Sequence, residues 1–154
     1  MRRGYAEPAA ARAFLHPSLD QMHSGRLLLG LDRAVERLTR AIAQREKILL
    51  YGDYDVDGTM SIVLLTKAIE LAGGHSEFHV PHRLREGYGM RSEIITEAAA
   101  RGVSLIVSVD TGIRAGAVVE HARTLGLDVI VTDHHLPEAE VPLAVAVVNP
   151  NHPG

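Results

Sequence analysis

An apolar run that ends in three carboxylates at alternate positions is the feature that most constrains this chain. Residues 48–51 predict a buried strand, and Asp53, Asp55 and Asp57 follow it directly. Strand side chains alternate between two faces, so these carboxylates point the same way if the extended geometry continues. Like charges held this close repel one another. Hard divalent cations such as Mg²⁺ or Mn²⁺ relieve that repulsion, because they prefer carboxylate oxygens.

A turn and a helix are expected next. Gly58 permits a sharp turn, and the mostly apolar segment 59–71 predicts a buried helix. The acidic side chains then lie between a strand and a helix N-terminus, which is where α/β sheets place their ligands.

The rest of the chain predicts an α/β fold. Its 154 residues fit one domain, and apolar strands alternate with helical patterns, which indicates a mainly parallel sheet of about five strands flanked by helices. Residues 1–30 are broken by proline and glycine and predict an N-terminal arm. The expected strands are 48–52, 78–80, 103–109, 129–132 and 145–148, and the expected helices begin at 31, 59, 93 and 114.

Composition excludes several classes of protein. No apolar run approaches the roughly 18 residues that span a bilayer, and no signal-peptide core is visible. The absence of cysteine excludes disulfides and thiolate zinc sites, and it is typical of a cytoplasmic protein. A net charge of -3 does not by itself indicate nucleic-acid binding, although a metal-holding acidic cluster biases the charge negative. With 4% aromatic residues and no tryptophan, an extended base-stacking surface is not expected.

Metal-competent side chains follow three of the predicted strands. They are the acidic triplet Asp53, Asp55 and Asp57, then Asp110, then the run Asp133-His134-His135. Parallel strands end at one edge of a sheet, so these groups should converge and could bridge two ions about 3.5–4 Å apart. A mixed carboxylate and imidazole site favours Mn²⁺ over Mg²⁺. Taken singly, Asp53 and Asp110 also fit turn or helix caps, and the histidine pair fits a cap of the next turn.

The loop 82–89 is rich in cations and glycine. His82, Arg83 and Arg85 are candidates for binding phosphate, because guanidinium is a planar fork that matches phosphate oxygens. The alternative is a solvated basic loop in which Glu86 neutralises one arginine.

The motifs at 53–58, 109–112 and 133–135 resemble motifs I, II and III of the DHH phosphoesterases, and within that family the exonucleases specific for single-stranded DNA. The resemblance covers nearly the whole chain, and it extends to the segments 14–19, 34–38, 80–89 and 148–151. It implies a DHH domain whose fourth motif, with one more aspartate ligand, lies beyond Asn149-Pro150. A DHHA1 domain and nucleotide-binding modules would follow. Residues 31–154 are then expected to be the N-terminal portion of a truncated DHH domain.

The resemblance also implies roles for single residues. Asp55, Asp57, Asp110 and His134 would ligate a pair of Mn²⁺ or Mg²⁺ ions, with Asp110 bridging the two. Asp53 and His135 would support the ligands or contact the substrate, and Arg83 with its loop would face the DNA backbone. The implied reaction is metal-dependent 5′→3′ hydrolysis of single-stranded DNA to mononucleotides, in DNA repair and recombination.

Three other interpretations stay open. The segment 55–59 also resembles the nucleophile motif of haloacid-dehalogenase-type phosphatases, but it leaves Asp53 and the Asp-His-His run without a role. A DHH phosphoesterase could instead act on short oligonucleotides or small nucleotides. The isolated chain could also be an inactive remnant that only binds metal or DNA.

Overall fold

The sheet is the frame that brings the motifs together. The computed structural model describes residues 7–152, and it has five parallel strands in the order β2-β1-β3-β4-β5. The α/β fold and its five-stranded parallel sheet are therefore confirmed. The strands are β1 Lys47–Tyr51, β2 Ser76–His79, β3 Val103–Val109, β4 Asp128–Thr132 and β5 Ala146–Val148.

Helices cover both faces of the sheet. Helices α4 and α5 pack on one face and α2 and α3 on the other, so the strands are apolar on both sides, as is usual for parallel sheets. Residues 1–6 and 153–154 lie outside the described residues, and so does that part of the predicted arm. The described helices are α1 Pro8–Leu15, α2 Leu31–Ala43, α3 Val56–Leu71, α4 Ser92–Ala100 and α5 Gly116–Thr124, with 3₁₀ turns at Leu19–Gln21 and Gly25–Leu27.

No described helix combines the length and the apolar character that crossing a bilayer would require.

The start of α3 differs from the sequence prediction. The helix begins at Val56, three residues earlier than expected, because Asp55 is its N-cap and accepts a hydrogen bond from Gly58 N–H (3.1 Å). The extended geometry therefore does not reach Asp57, so the condition under which the three carboxylates would point the same way is not met. Gly58 also does not make the turn. It lies in the first helical turn, where a Cβ would come within 2.5 Å of the Asp53 backbone nitrogen and oxygen.

Helix α3 is also less buried than its composition predicted. Only Gly58, Ile62 and Ile69 are buried, whereas Val63 and Leu64 are more than half exposed. The helix is apolar on every side, but only the side that faces the sheet is covered by the described residues. The helix expected from residue 93 begins one residue earlier, at Ser92, and Arg91 holds the cap position.

The amino ends of the strands are joined by a buried guanidinium group. Arg37 on α2 makes two hydrogen bonds to Glu46, of 2.6 and 3.2 Å, and a third to Asp128 at the start of β4. Ser104 donates a further hydrogen bond (2.6 Å) to Glu46. This network fixes α2 to the sheet at the end opposite the acidic motifs.

Candidate metal centre

The carboxyl ends of β1, β3 and β4 bring five of the predicted site residues together. Ligand atoms of Asp53, Asp55 and Asp110 all lie within 4.8 Å of one another, and so do those of Asp110, His134 and His135. Asp110 belongs to both groups because its strand, β3, lies between the other two. The convergence predicted from the parallel sheet is therefore present in the fold.

Asp110 is held in an unfavourable state. Its φ of 61° lies in the left-handed region that non-glycine residues rarely occupy, and its side chain is buried. Burial raises the pKa of the Asp110 carboxyl, and the neighbouring Asp55 carboxylate raises it further. Such strain and charge crowding persist only where the surrounding structure enforces them, and they are typical of functional sites.

The donors around Asp110 fit a divalent cation. Asp110 Oδ1 is buried and has no hydrogen-bond partner among residues 7–152. His134 Nε2 lies 3.0 Å from that oxygen, but its orientation does not give a hydrogen bond. The site therefore offers a carboxylate oxygen with no hydrogen-bond partner, an imidazole nitrogen and a second carboxylate. Mn²⁺ binds both the oxygen and the nitrogen ligands of such a set readily, whereas Mg²⁺ prefers the carboxylate oxygens.

Asp55 and Asp57 occupy different positions from those expected on a strand. The Gly58 N–H that Asp55 caps lowers the pKa of the Asp55 carboxyl, which keeps this exposed ligand candidate ionised. Asp57 lies in the first turn of α3 and belongs to neither group of converging ligand atoms among the described residues. It does line a groove of about 530 Å³ that it shares with Asp110 and His134.

Asp133 is the functional residue that the sequence reasoning omitted from its site assignment. Its Oδ1 accepts hydrogen bonds from the N–H of His134 (2.7 Å), the N–H of His135 (3.1 Å) and His135 Nδ1 (2.7 Å), and its Oδ2 accepts one from Ile113 N–H (3.0 Å). Burial alone raises the pKa of the Asp133 carboxyl, but these donors outweigh burial and lower it. Because a carboxylate only accepts, His135 Nδ1 carries a proton in this contact.

Two asparagines also fix the histidine pair, which the sequence reasoning did not foresee. Asn149 Nδ2 donates to His135 O (2.9 Å), and Asn151 Nδ2 donates to His134 O (2.7 Å). Asn151 N–H in turn donates to Asn149 Oδ1 (2.7 Å). The segment after β5 therefore sets the backbone of both histidines. The available signal was the apolar strand ending in Asn-Pro-Asn beside the other motifs.

The basic loop presents two arginines that carry no acidic partner. Within residues 7–152, neither Arg83 nor Arg85 has a carboxylate oxygen within 4.0 Å. The Arg83 guanidinium lies 5.2 Å from the ring centre of Tyr54 in the first motif. Glu86 does not neutralise an arginine as the alternative supposed. It pairs with His79 Nε2 (2.9 Å) and accepts a hydrogen bond from His82 N–H (2.9 Å).

Comparison with known proteins places this geometry in a family. Residues 47–154 match the family model described as DHH family, N-terminal domain. The single-stranded-DNA-specific exonuclease RecJ of Bacillus subtilis (strain 168) is 40% identical over 154 residues, which is all of this chain. The RecJ of Escherichia coli (strain K12) is 43% identical over 153 residues, or 98% of the chain. The chain spans 20% and 26% of the lengths of these two curated relatives.

Solved structures show the same fold. A crystal structure of exonuclease RecJ bound to manganese matches with a TM-score of 0.78 and 34% identity, covering 86% of this chain and 34% of that one. RecJ in complex with Mn²⁺ from Thermus thermophilus matches with a TM-score of 0.72 and 30% identity, covering 85% of this chain and 18% of that one. The three motifs, the sheet that joins them and these similarities lead to one conclusion: the chain belongs to the DHH family.

Proposed function

We propose that this chain is part of the catalytic domain of a metal-dependent exonuclease that degrades single-stranded DNA in the 5′→3′ direction, in DNA repair and recombination. The observation that carries the proposal is the position of Asp110, whose carboxylate belongs to both groups of converging ligand atoms. The names of the relatives supply the substrate class. Within this proposal, residues 1–30 are an arm, residues 31–154 are the N-terminal portion of the DHH domain, and the protein works in the cytoplasm.

The ligand set that we propose comprises Asp55, Asp57, Asp110 and His134, holding two Mn²⁺ or Mg²⁺ ions with Asp110 shared. Asp53 and His135 then orient the ligands or contact the substrate. Divalent ions held there would activate water and stabilise the charge that develops on the phosphodiester.

The chain's own residues supply positioning and charge. Asp133 and the two asparagines fix the histidine pair before substrate arrives, so no reorganisation is needed at the moment of reaction. Arg83 and Arg85, with His82 in the same loop, would neutralise phosphates of the incoming strand, because neither guanidinium is paired with an acid among residues 7–152.

Calorimetric titration with Mn²⁺ tests the ligand set. We expect wild type to bind Mn²⁺ and the His134→Ala variant to bind about 10- to 100-fold more weakly. His75→Ala is the matched control, because His75 is exposed at the amino end of the sheet. Equal affinity in wild type and His134→Ala would contradict the assignment.

Cleavage of end-labelled DNA tests the reaction. We expect release of labelled mononucleotide from a 5′-labelled single strand and slow cleavage of the corresponding duplex. Preference for a dinucleotide over the long strand would favour the family members that act on small nucleotides. Accumulation of an aspartyl-phosphate would favour the dehalogenase-type mechanism, which forms one.

The salt dependence of DNA binding tests the basic loop. Arg83→Ala should weaken binding to oligothymidylate and lower the slope of log affinity against log salt by about 0.7, the value for one phosphate contact on a single strand. Arg33→Ala removes the same charge from an exposed position on α2 and should leave the slope unchanged. An equal change in both variants would mean that only net charge matters.

A further inference from the structure

Two cavities lie on opposite sides of the metal centre. One, of about 390 Å³, lies on the side of α4 and α5 and is lined by Tyr88 and His135. The other is the groove of about 530 Å³ on the side of α3, lined by Asp57 and His134. Asp133 contributes to the walls of both, so a phosphate held at the metal centre would have one cavity on each side.

The smaller cavity is chemically unlike the metal centre beside it. Its floor is formed by Met90, Ile113 and Val118, which belong to or pack against the apolar core. Tyr88 stands at its rim and remains more than half exposed. A volume of about 390 Å³ is near the lower end of ligand pockets, which span roughly 300–1,000 Å³. This cavity suits one flat, largely apolar group.

We infer that this cavity binds the base of the terminal nucleotide of a single-stranded substrate, with the Tyr88 ring packing against that base. The inference rests on the proposed function and extends it from a substrate class to a subsite. Base–aromatic packing accepts any base, because every base has a π face, and it therefore suits an enzyme that degrades strands without regard to sequence.

A phosphate fits this cavity less well than a base does. The Asp133 carboxylate in its wall accepts hydrogen bonds from four N–H groups, which marks it as ionised and repels anions. Arg114 also lines the cavity, but its Nε donates to Leu136 O (2.9 Å). Arg83 and Arg85 lie on the basic loop outside the lining of this cavity, and neither has a carboxylate oxygen within 4.0 Å among residues 7–152. They are the cations that we assign to the phosphates, which leaves the apolar floor to the base.

Tyr88 is already oriented for this role. Its hydroxyl lies 3.4 Å from His135 Nδ1, and the two rings meet edge to face with their centres 6.0 Å apart. The loop behind it is fixed by Tyr51, whose hydroxyl donates to Gly89 O (3.3 Å), and by Arg91, whose Nη1 donates to Glu86 O (2.8 Å). A base that enters therefore meets a ring that is held in place and loses little side-chain entropy on contact.

The kinetic test compares oligothymidylate with the same strand carrying an abasic tetrahydrofuran residue at its 5′ end. Loss of the base should raise KM at least about fivefold in wild type, the lower limit for stacking of one base on an aromatic ring. In Tyr88→Ala the two strands should differ by less than about twofold. Leu84→Ala, at an exposed position on the same loop, should discriminate as wild type does. Equal KM values for the two strands in wild type would overturn the inference and leave the exonuclease proposal intact.

Nuclear magnetic resonance tests binding of the base independently of DNA cleavage. With Mg²⁺ present, thymidine 5′-monophosphate should shift the amide signals of Gly89, Gly112 and Val118, whereas 2-deoxyribose 5-phosphate should not. This result without any DNA cleavage would support the base site while the exonuclease proposal failed. Shifts confined to Met60 and Ser61, which line the opposite groove, would overturn the inference, as would the absence of any shift.

Discussion

Replacing Gly58 by alanine tests whether the metal centre depends on a close approach between α3 and the first motif. Gly58 lies in the first turn of α3, and a Cβ there would come within 2.5 Å of both the nitrogen and the carbonyl oxygen of Asp53. These are backbone atoms, which cannot swing aside as a flexible side chain can. Either the start of α3 or the residue that carries one of the candidate ligand groups must move.

A second glycine in the first turn of a helix serves as the control for the size of the destabilisation. Gly116 lies in the first turn of α5, and a Cβ there would meet nothing within 4 Å. Both substitutions gain the same helix propensity, up to about 1 kcal/mol, so the difference between the variants isolates the steric clash. Overpacking of this kind costs about 1–3 kcal/mol. We therefore expect Gly58→Ala to be less stable than Gly116→Ala by about 1–3 kcal/mol.

Thermal unfolding and Mn²⁺ titration of the two variants provide the assay. In a chain of this size each kcal/mol shifts Tm by roughly 2–4 °C, so the Tm values should differ by about 2–12 °C. Gly58→Ala should also lose Mn²⁺ affinity, because Asp53 is displaced, whereas Gly116→Ala should keep it. Equal Tm values and equal affinities would refute the idea that this contact shapes the site.

Three other substitutions test the metal centre and the Arg37 network. Asp110→Asn should abolish Mn²⁺ binding yet stabilise the metal-free fold by about 0.5–2 kcal/mol. The reason is that the pKa of this carboxyl is raised by folding, so its ionised form is disfavoured. Urea unfolding should show that gain at pH 7 and lose it below the ordinary carboxyl pKa; a gain that persists there would point to another cause. His134→Ala should reduce Mn²⁺ affinity more than His135→Ala does, and equal losses by calorimetry would contradict the proposed ligand set. Arg37→Met should cost about 3 kcal/mol in chemical denaturation because it removes the buried guanidinium that pairs with both Glu46 and Asp128, whereas Arg40→Met, at a half-exposed position, should cost less than about 1 kcal/mol; similar costs would rule out this account of the network.

The parts of the fold that the sequence predicted are those set by local pattern. Apolar runs bounded by glycine and polar residues located β3 and β4 to within a residue, because strands buried on both faces leave an unbroken apolar signal. Alternation of strands and helices then gave the parallel sheet. The convergence of Asp110 with the carboxylates after β1 and the histidines after β4 followed from that sheet alone, because parallel strands end at one edge.

The parts that the sequence did not predict depend on contacts distant in sequence. A spacing of two residues between acids fits a strand and also fits a helix cap followed by a first turn. The structure has the second arrangement, in which Asp55 caps α3 and residue 58 lies so close to the backbone of Asp53 that a Cβ there would clash. That close approach is not visible in the sequence. Likewise, Asp133 is fixed partly by Ile113, 20 residues earlier in the chain, so its part in orienting the histidines was visible only in three dimensions.

Two opposite effects act on the same carboxylate, and together they explain why the site is built at a cost to stability. In the metal-free protein, the Asp110 carboxylate is buried and close to another negative charge, so a neutral asparagine should be preferred. A cation that binds only the folded state reverses this order, because binding at a hundred times Kd adds about 2.7 kcal/mol of stability. The stabilities of wild type and Asp110→Asn should therefore cross as Mn²⁺ is added. That crossing would separate a carboxylate retained for its ligand from one retained for the fold.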